Sequence, residues 1–347
     1  MNRDDWILKS FDFCGRETVK RGARVFILAF ERVLALTTGA LMMIALWVFF
    51  RFPHANFLLA AFVFLTSANL VGVRNFSERL HRTAVSAVLA AMGQFMVGMT
   101  WNMPLLQVLL PAFFAWGILT VCRRSDSCII LLISYFACFA EAGFLAAADR
   151  SLEIAVGAVV VTVVTGVVNG SLPEKIVSQE VQEPYSCRRA LMIAVLLAVG
   201  CCFWKFLHLK QGPWIMLTIL FICQAQNGDS GVEELVYLRI FSVPLGILLG
   251  GLYISSFCGL DYRFVYWTVV IGTAGFAVLY FTGNYFLFTV LFMMTFTISA
   301  DWLNGTVKPF YFLDFLFSRS ISTTIGAILL LAGDALMRKG TVQRWIS

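Results

Sequence analysis

Long apolar stretches broken by short polar turns repeat along almost the whole chain. Most are about 17 residues or longer, enough for a helix to cross roughly 30 Å of hydrocarbon. The alternating segments of about ten residues that mark a membrane β-barrel are absent. The pattern predicts an all-α, polytopic helical membrane protein with about twelve transmembrane helices. These lie near 33–50, 55–72, 83–100, 103–121, 128–147, 152–169, 190–207, 212–227, 239–257, 264–281, 284–300 and 319–337. Between the last two, Asp301–Ser318 carries Trp302, Phe310, Tyr311, Phe312, Phe315 and Phe317 and reads as an interfacial or re-entrant segment.

Composition agrees with that class. Hydrophobic residues make up 60% of the chain and charged ones 13%, against about 25% charged in ordinary soluble domains. The basic residues are placed unevenly. With the N-terminus inside, 19 of the 26 lysines and arginines fall on cytoplasmic segments. The positive-inside rule then puts both termini in the cytoplasm. The net charge of +6 is thus a topology signal and does not point to nucleic acid. No removable signal peptide is expected at the polar, basic start. Asp4–Arg24 suits either a helix along the inner surface or a loose tail.

The nine cysteines are scattered, mostly within apolar runs, and read as small buried hydrophobes without metal-ligand spacing. No phosphate-binding loop, zinc motif, nucleophile elbow or pair of acids at helical spacing is present. An enzyme is therefore not expected, and neither a cofactor nor a metal is implied.

The chain divides into a basic N-terminal segment (1–32), a first transmembrane unit (33–169), a polar linker (170–189), a second transmembrane unit (190–337) and a short tail (338–347). A shift of 157 residues aligns Arg82 with Arg239, Arg32 with Arg189 and Gly93 with Gly250. Six crossings per half give both copies the same orientation, a parallel repeat about an axis along the membrane normal. A generic twelve-helix layout without duplication gives the same count.

The stretch from Gly212 to Gly251 is the most distinctive. Trp214, Thr218, Gln224 and Gln226 mark one crossing, and a polar turn leads to Arg239, Gly246 and Gly250 on the next. Gly246 and Gly250 lie four apart, on one helical face, where a neighbouring backbone can approach closely. This pattern resembles the fusaric acid resistance (FUSC) family, which includes aromatic acid exporters. Its motif runs W-x-x-x-T, then Gln, then R-x-x-G-T-x-x-G-x-x-x-G after a turn. Ser242 and Val243 stand where that motif has Gly-Thr, and the first half keeps only Phe57, Ser67, Arg82 and Gly93 of it. The resemblance implies a multi-pass protein of a bacterial inner membrane that exports small aromatic or other organic carboxylic acids, coupled to protons. It also implies a periplasmic adaptor as partner, and the small-residue faces suit a homo-oligomer. A passive organic-anion channel or a non-transporting membrane scaffold has the same outward pattern.

Transport of an organic anion asks for an attractor, a pocket and a coupling group. Arg82 and Arg239, each opening a crossing after a turn, are the expected attractors, or else positive-inside anchors that snorkel to headgroups. Trp214, Thr218, Gln224 and Gln226 are the expected pocket wall; an interface belt and helix–helix hydrogen bonds are the structural alternative. Glu141, alone within S-Y-F-A-C-F-A-E-A-G-F-L, is the candidate proton carrier, or a neutral carboxyl bonded to a neighbouring helix.

Overall fold

A computed structural model describes residues 76–100, 102–121, 132–133, 135–136, 186–209, 211–225, 231–256, 267–268, 271–272, 275, 279, 284–304 and 309–346. Among them there is helix and no strand. Seven continuous helices are described: α1 (Phe76–Thr100), α2 (Pro104–Val121), α3 (Cys187–Leu207), α4 (Pro213–Ala225), α5 (Val232–Ser256), α6 (Tyr285–Asn304) and α7 (Pro309–Ile346). Three contain stretches long and apolar enough to span a membrane, Cys187–Leu207, Val232–Ser256 and Leu313–Arg338; α1, α2, α4 and α6 hold shorter apolar segments.

The helix ends follow local chemistry. Ser186 caps α3 by accepting from the Arg189 N–H at 3.3 Å, and His208 closes it in the left-handed conformation (φ 49°). Pro213 and Pro309 sit first in α4 and α7, where a missing N–H costs nothing. Asn284 caps α6 through its side-chain oxygen, 3.1 Å from the Leu287 N–H. Glu233 and Glu234 fill the first turn of α5, where negative charge meets the positive end of the helix dipole.

Two starts differ from the hydropathy reading. The helix holding Arg239 begins at Val232, seven residues before the expected 239, and the helix holding Arg82 is already helical at Phe76, ahead of the expected 83. The polar first turns are helical, so neither arginine opens its helix. The described parts of the aromatic stretch are helical, 301–304 at the end of α6 and 309–318 in α7.

The second half is built around α4, in which every residue from Ile215 to Cys223 is buried. Such a helix, apolar all round, has no lipid face of its own. α3 runs antiparallel to α4, with Gly200 meeting Ile215 and Met216. On another side α7 runs parallel to α4: Gly326 lies against the Ile215 carbonyl and Thr218. α5 and α6 are parallel and form the most extensive helix pair. A Cβ on Gly246 would strike the Val290 carbonyl and lie 2.7 Å from Met293 Cβ; one on Gly250 would lie 2.9 Å from Thr297 Cβ. Small residues at this contact let the backbones approach, which is how helices gain packing where lipid removes the hydrophobic drive. At one end, Arg338 of α7 bridges Asp334 (2.8 Å) and Glu233 of α5 (3.2 Å), and Arg188 donates to the Met337 carbonyl.

Candidate functional site

The face shared by α4 and α6 is a double column of aromatic rings. On α6, Phe288, Phe292 and Phe296 recur every four residues and therefore stack along one face, with ring centroids 5.9 and 6.4 Å apart. On α4, Trp214 and Phe221 lie seven apart and stack at 6.5 Å. The columns interlock edge-on, Trp214 with Phe296 at 5.7 Å and Phe221 with Phe292 at 6.2 Å.

An arginine closes each end. Arg239 of α5 places its guanidinium carbon 4.6 Å from the Phe221 ring centroid and donates to the Tyr285 hydroxyl at 3.4 Å. Arg319 of α7 lies 3.4 Å from Trp214, 4.2 Å from Phe296 and 4.9 Å from Phe315. Their exposures are 1% and 0%, so neither reaches headgroups or water and the snorkelling reading fails for Arg239. Nε and Nη2 of Arg239, and Nε and both Nη atoms of Arg319, have no hydrogen-bond partner among the described residues. The hydroxyls of Thr218, Thr289, Ser322 and Thr323 are buried and unpartnered too.

With no counter-ion among the described residues, this is an expensive arrangement. Burying a single charge costs several kcal/mol even after relaxation. A desolvated cation–π contact returns about 2 kcal/mol, which for Arg239 leaves a deficit. Guanidinium groups keep their charge in proteins, so proton loss is no relief. A small oxyanion accepting from these edges supplies what the protein side leaves open, because charge-assisted bonds to a guanidinium are the strong ones.

Among the other expected site residues, Trp214 and Thr218 stand beside Arg319, with Thr218 buried at the α4–α7 contact. Gly246 and Gly250 face α6. Arg82 lies two turns inside α1, and Gln224 lies in the last turn of α4; their side chains fall outside the described residues. So do Gln226 and Glu141 altogether. Asp334, near the end of the last span, is engaged by Arg338. Arg319 is the residue the sequence reading missed. Its signal was a cation flanked by Ser318 and Ser320 inside an otherwise apolar helix, set too close to the expected span boundary to look intramembrane.

An apolar helical assembly with cations buried beside stacked rings defines a helical membrane protein. Residues 193–333 match the family model described as fusaric acid resistance protein-like. The chain is also similar to two curated proteins. One is Uncharacterized protein ORF2 of Neisseria gonorrhoeae, 35% identical over 65 residues, 19% of this chain and 15% of that protein. The other is Uncharacterized protein YhfK of Escherichia coli (strain K12), 26% identical over 148 residues, 42% of this chain and 19% of that protein. The matched stretches thus span less than a fifth of either relative. No solved structure matches the chain.

Proposed function

We propose that the protein is a secondary transporter of a bacterial inner membrane that exports small aromatic or other organic carboxylic acids, coupled to protons. The observation that carries this reading is Arg239, fully buried among apolar helices with two nitrogens unpartnered among the described residues. Buried intramembrane cations mark ion and substrate paths more often than structural sites, since a scaffold gains nothing from a desolvated charge. Aromatic rings lie on the path between the cations and suit a substrate with an apolar body. The fusaric acid resistance-like match over 193–333 supports a membrane transport role in general terms.

In this proposal the chain is two parallel six-helix repeats of about twelve crossings, with both termini cytoplasmic. Supporting it, Arg82 and Arg239, which the 157-residue shift aligns, both lie within a helix at least six residues from its start. Arg82 and Arg239 then hold equivalent places two turns in, and Glu141 serves as the proton carrier.

One observation favours a second reading. Arg239 and Arg319 are the buried charged side chains among the described residues, with no buried acid beside them. A passive organic-anion permease needs only cations, whereas proton coupling needs a titratable group. Proteoliposomes holding the full chain and a pH-sensitive dye separate the two, with benzoate, salicylate and acetate as substrates. Coupled export predicts proton movement with benzoate flux and its loss in Glu141→Gln. Voltage-driven flux without proton movement establishes the permease reading. Absence of flux for every acid tested refutes both.

A further inference from the structure

The geometry points to a second oxyanion site at Arg319, distinct from the one at Arg239, which takes the carboxylate of a small organic acid between α4 and α7. Its parts come from two facing helices. On α7, Arg319, Ser322, Thr323 and Gly326 follow the i, i+3, i+4, i+7 spacing of a single helical face. That face meets α4: the Arg319 guanidinium lies over Trp214, and Gly326 lies against the Ile215 carbonyl and Thr218. Arg319, Ser322, Thr323 and Thr218 are all fully buried. Three guanidinium nitrogens and the three hydroxyls have no partner among the described residues.

Serine and threonine in an apolar helix usually quiet their hydroxyls by bonding the carbonyl one turn back. Thr100 and Thr297 do so here, at 2.8 Å from the Met96 and Met293 carbonyls. Ser322, Thr323 and Thr218 do not, although each sits on a helix that offers such a carbonyl. Three unspent hydroxyl donors along the α4–α7 contact, with an unspent guanidinium on the same face of α7, are all buried and have no acceptor among the described residues. Buried polar groups in native proteins are satisfied as a rule, so the cluster reads as a site for an acceptor that arrives from outside.

The shape of the donors selects the acceptor. A guanidinium edge presents parallel N–H groups that fit the two oxygens of a carboxylate, a match that a spherical halide cannot use. Trp214, Phe296 and Phe315 around the same guanidinium add an apolar wall for the body of the acid, which inorganic phosphate or sulfate would leave unused. The Trp214–Phe221 stack joins this site to Arg239, so the two cations are stations at opposite ends of one aromatic column. A role for the second station in moving the acid rests on the export reading above; the binding claim does not.

Binding is tested on the full chain purified in dodecyl maltoside, by thermal unfolding with increasing sodium benzoate at constant ionic strength set with sodium chloride. Benzyl alcohol is the neutral control, and phosphatidylglycerol tests whether a lipid phosphate is the true acceptor. In Arg239→Gln, which removes the first cation, benzoate is expected to raise the midpoint saturably, with no such effect from benzyl alcohol. Adding Arg319→Gln should abolish that saturable shift. In the same Arg239→Gln background, Thr218→Val with Thr323→Val should raise half-saturation at least about a hundredfold, as expected for two lost hydrogen bonds to a charged group. This milder pair decides the matter should Arg319→Gln fail to fold. Complete loss of the benzoate effect in Arg239→Gln alone, or no effect in the wild type, would overturn the second site. So would an Arg319-dependent shift seen with phosphatidylglycerol and not with benzoate. Benzoate flux in proteoliposomes then reads the export proposal separately, since flux that survives Arg319→Gln leaves that proposal standing without this site.

Discussion

Replacing Arg239 by methionine should make the ligand-free protein more stable while removing its function. The arginine's gains among the described residues are few: one long hydrogen bond to Tyr285 at 3.4 Å and one ring contact at 4.6 Å to Phe221. A hydrogen bond involving a charged group is worth about 1.5–3 kcal/mol at good geometry, and 3.4 Å is at the weak end. The desolvated ring contact adds about 2 kcal/mol. Against these stand the several kcal/mol of burying the charge, and Nε and Nη2 left without partners. Methionine fills nearly the same volume, adapts to irregular gaps and keeps a favourable contact with Phe221. Exchanges of buried charges for fitted apolar residues have been neutral or stabilising by about 1–4 kcal/mol, and Arg239→Met should fall in that range. Reversible unfolding in mixed micelles, monitored by helical circular dichroism without added organic acid, reads the difference. Destabilisation of more than about 2 kcal/mol would refute the reasoning, because it would mean that the guanidinium holds the fold together through a structural partner.

Further outcomes follow from the packing. Gly246→Val places methyl groups against the Val290 carbonyl and Met293 at the close α5–α6 contact, and should destabilise by about 1–3 kcal/mol in the same assay; no change would mean α5 and α6 are not in contact in the membrane. Glu233→Gln removes an exposed partner of Arg338 and should shift stability by less than about 1 kcal/mol, since Asp334 remains beside that arginine. Tyr285→Phe strips Arg239 of its one donated bond at nearly constant shape, and should weaken benzoate binding at that station less than Arg239→Gln does, as titration calorimetry can resolve.

Hydropathy made the helical membrane class legible and placed α2, α3 and α4 within a few residues, because there the apolar run and the helix end together. It misplaced the starts of α1 and α5. Glu233 and Glu234 occupy the first turn of α5, and Ser77, Glu78 and Arg79 are polar yet helical all the same. A hydropathy edge marks where solvent or headgroups begin, which is a different boundary from the last helical hydrogen bond. The error had a consequence. It set Arg239 at a helix mouth, where a cation anchors to headgroups, when it lies two turns deep and buried. Arg319 was hidden in the same way, behind a run of aromatic residues that reads as an interface belt, part of which lies in α7. No periodicity of one strand of sequence could show that Trp214, Phe296 and Arg319 converge, since they come from three helices and their meeting depends on how α4, α6 and α7 pack.

The account stands on buried guanidinium groups drawing an organic anion into the membrane interior. The most direct measurement is counterflow of radiolabelled benzoate in proteoliposomes, comparing wild type with Arg239→Gln at matched protein density and orientation. Saturable exchange in the wild type, reduced at least about tenfold in the variant, is the predicted result. Equal exchange in the two would contradict the account, because the acid would then cross without the charge proposed to attract it.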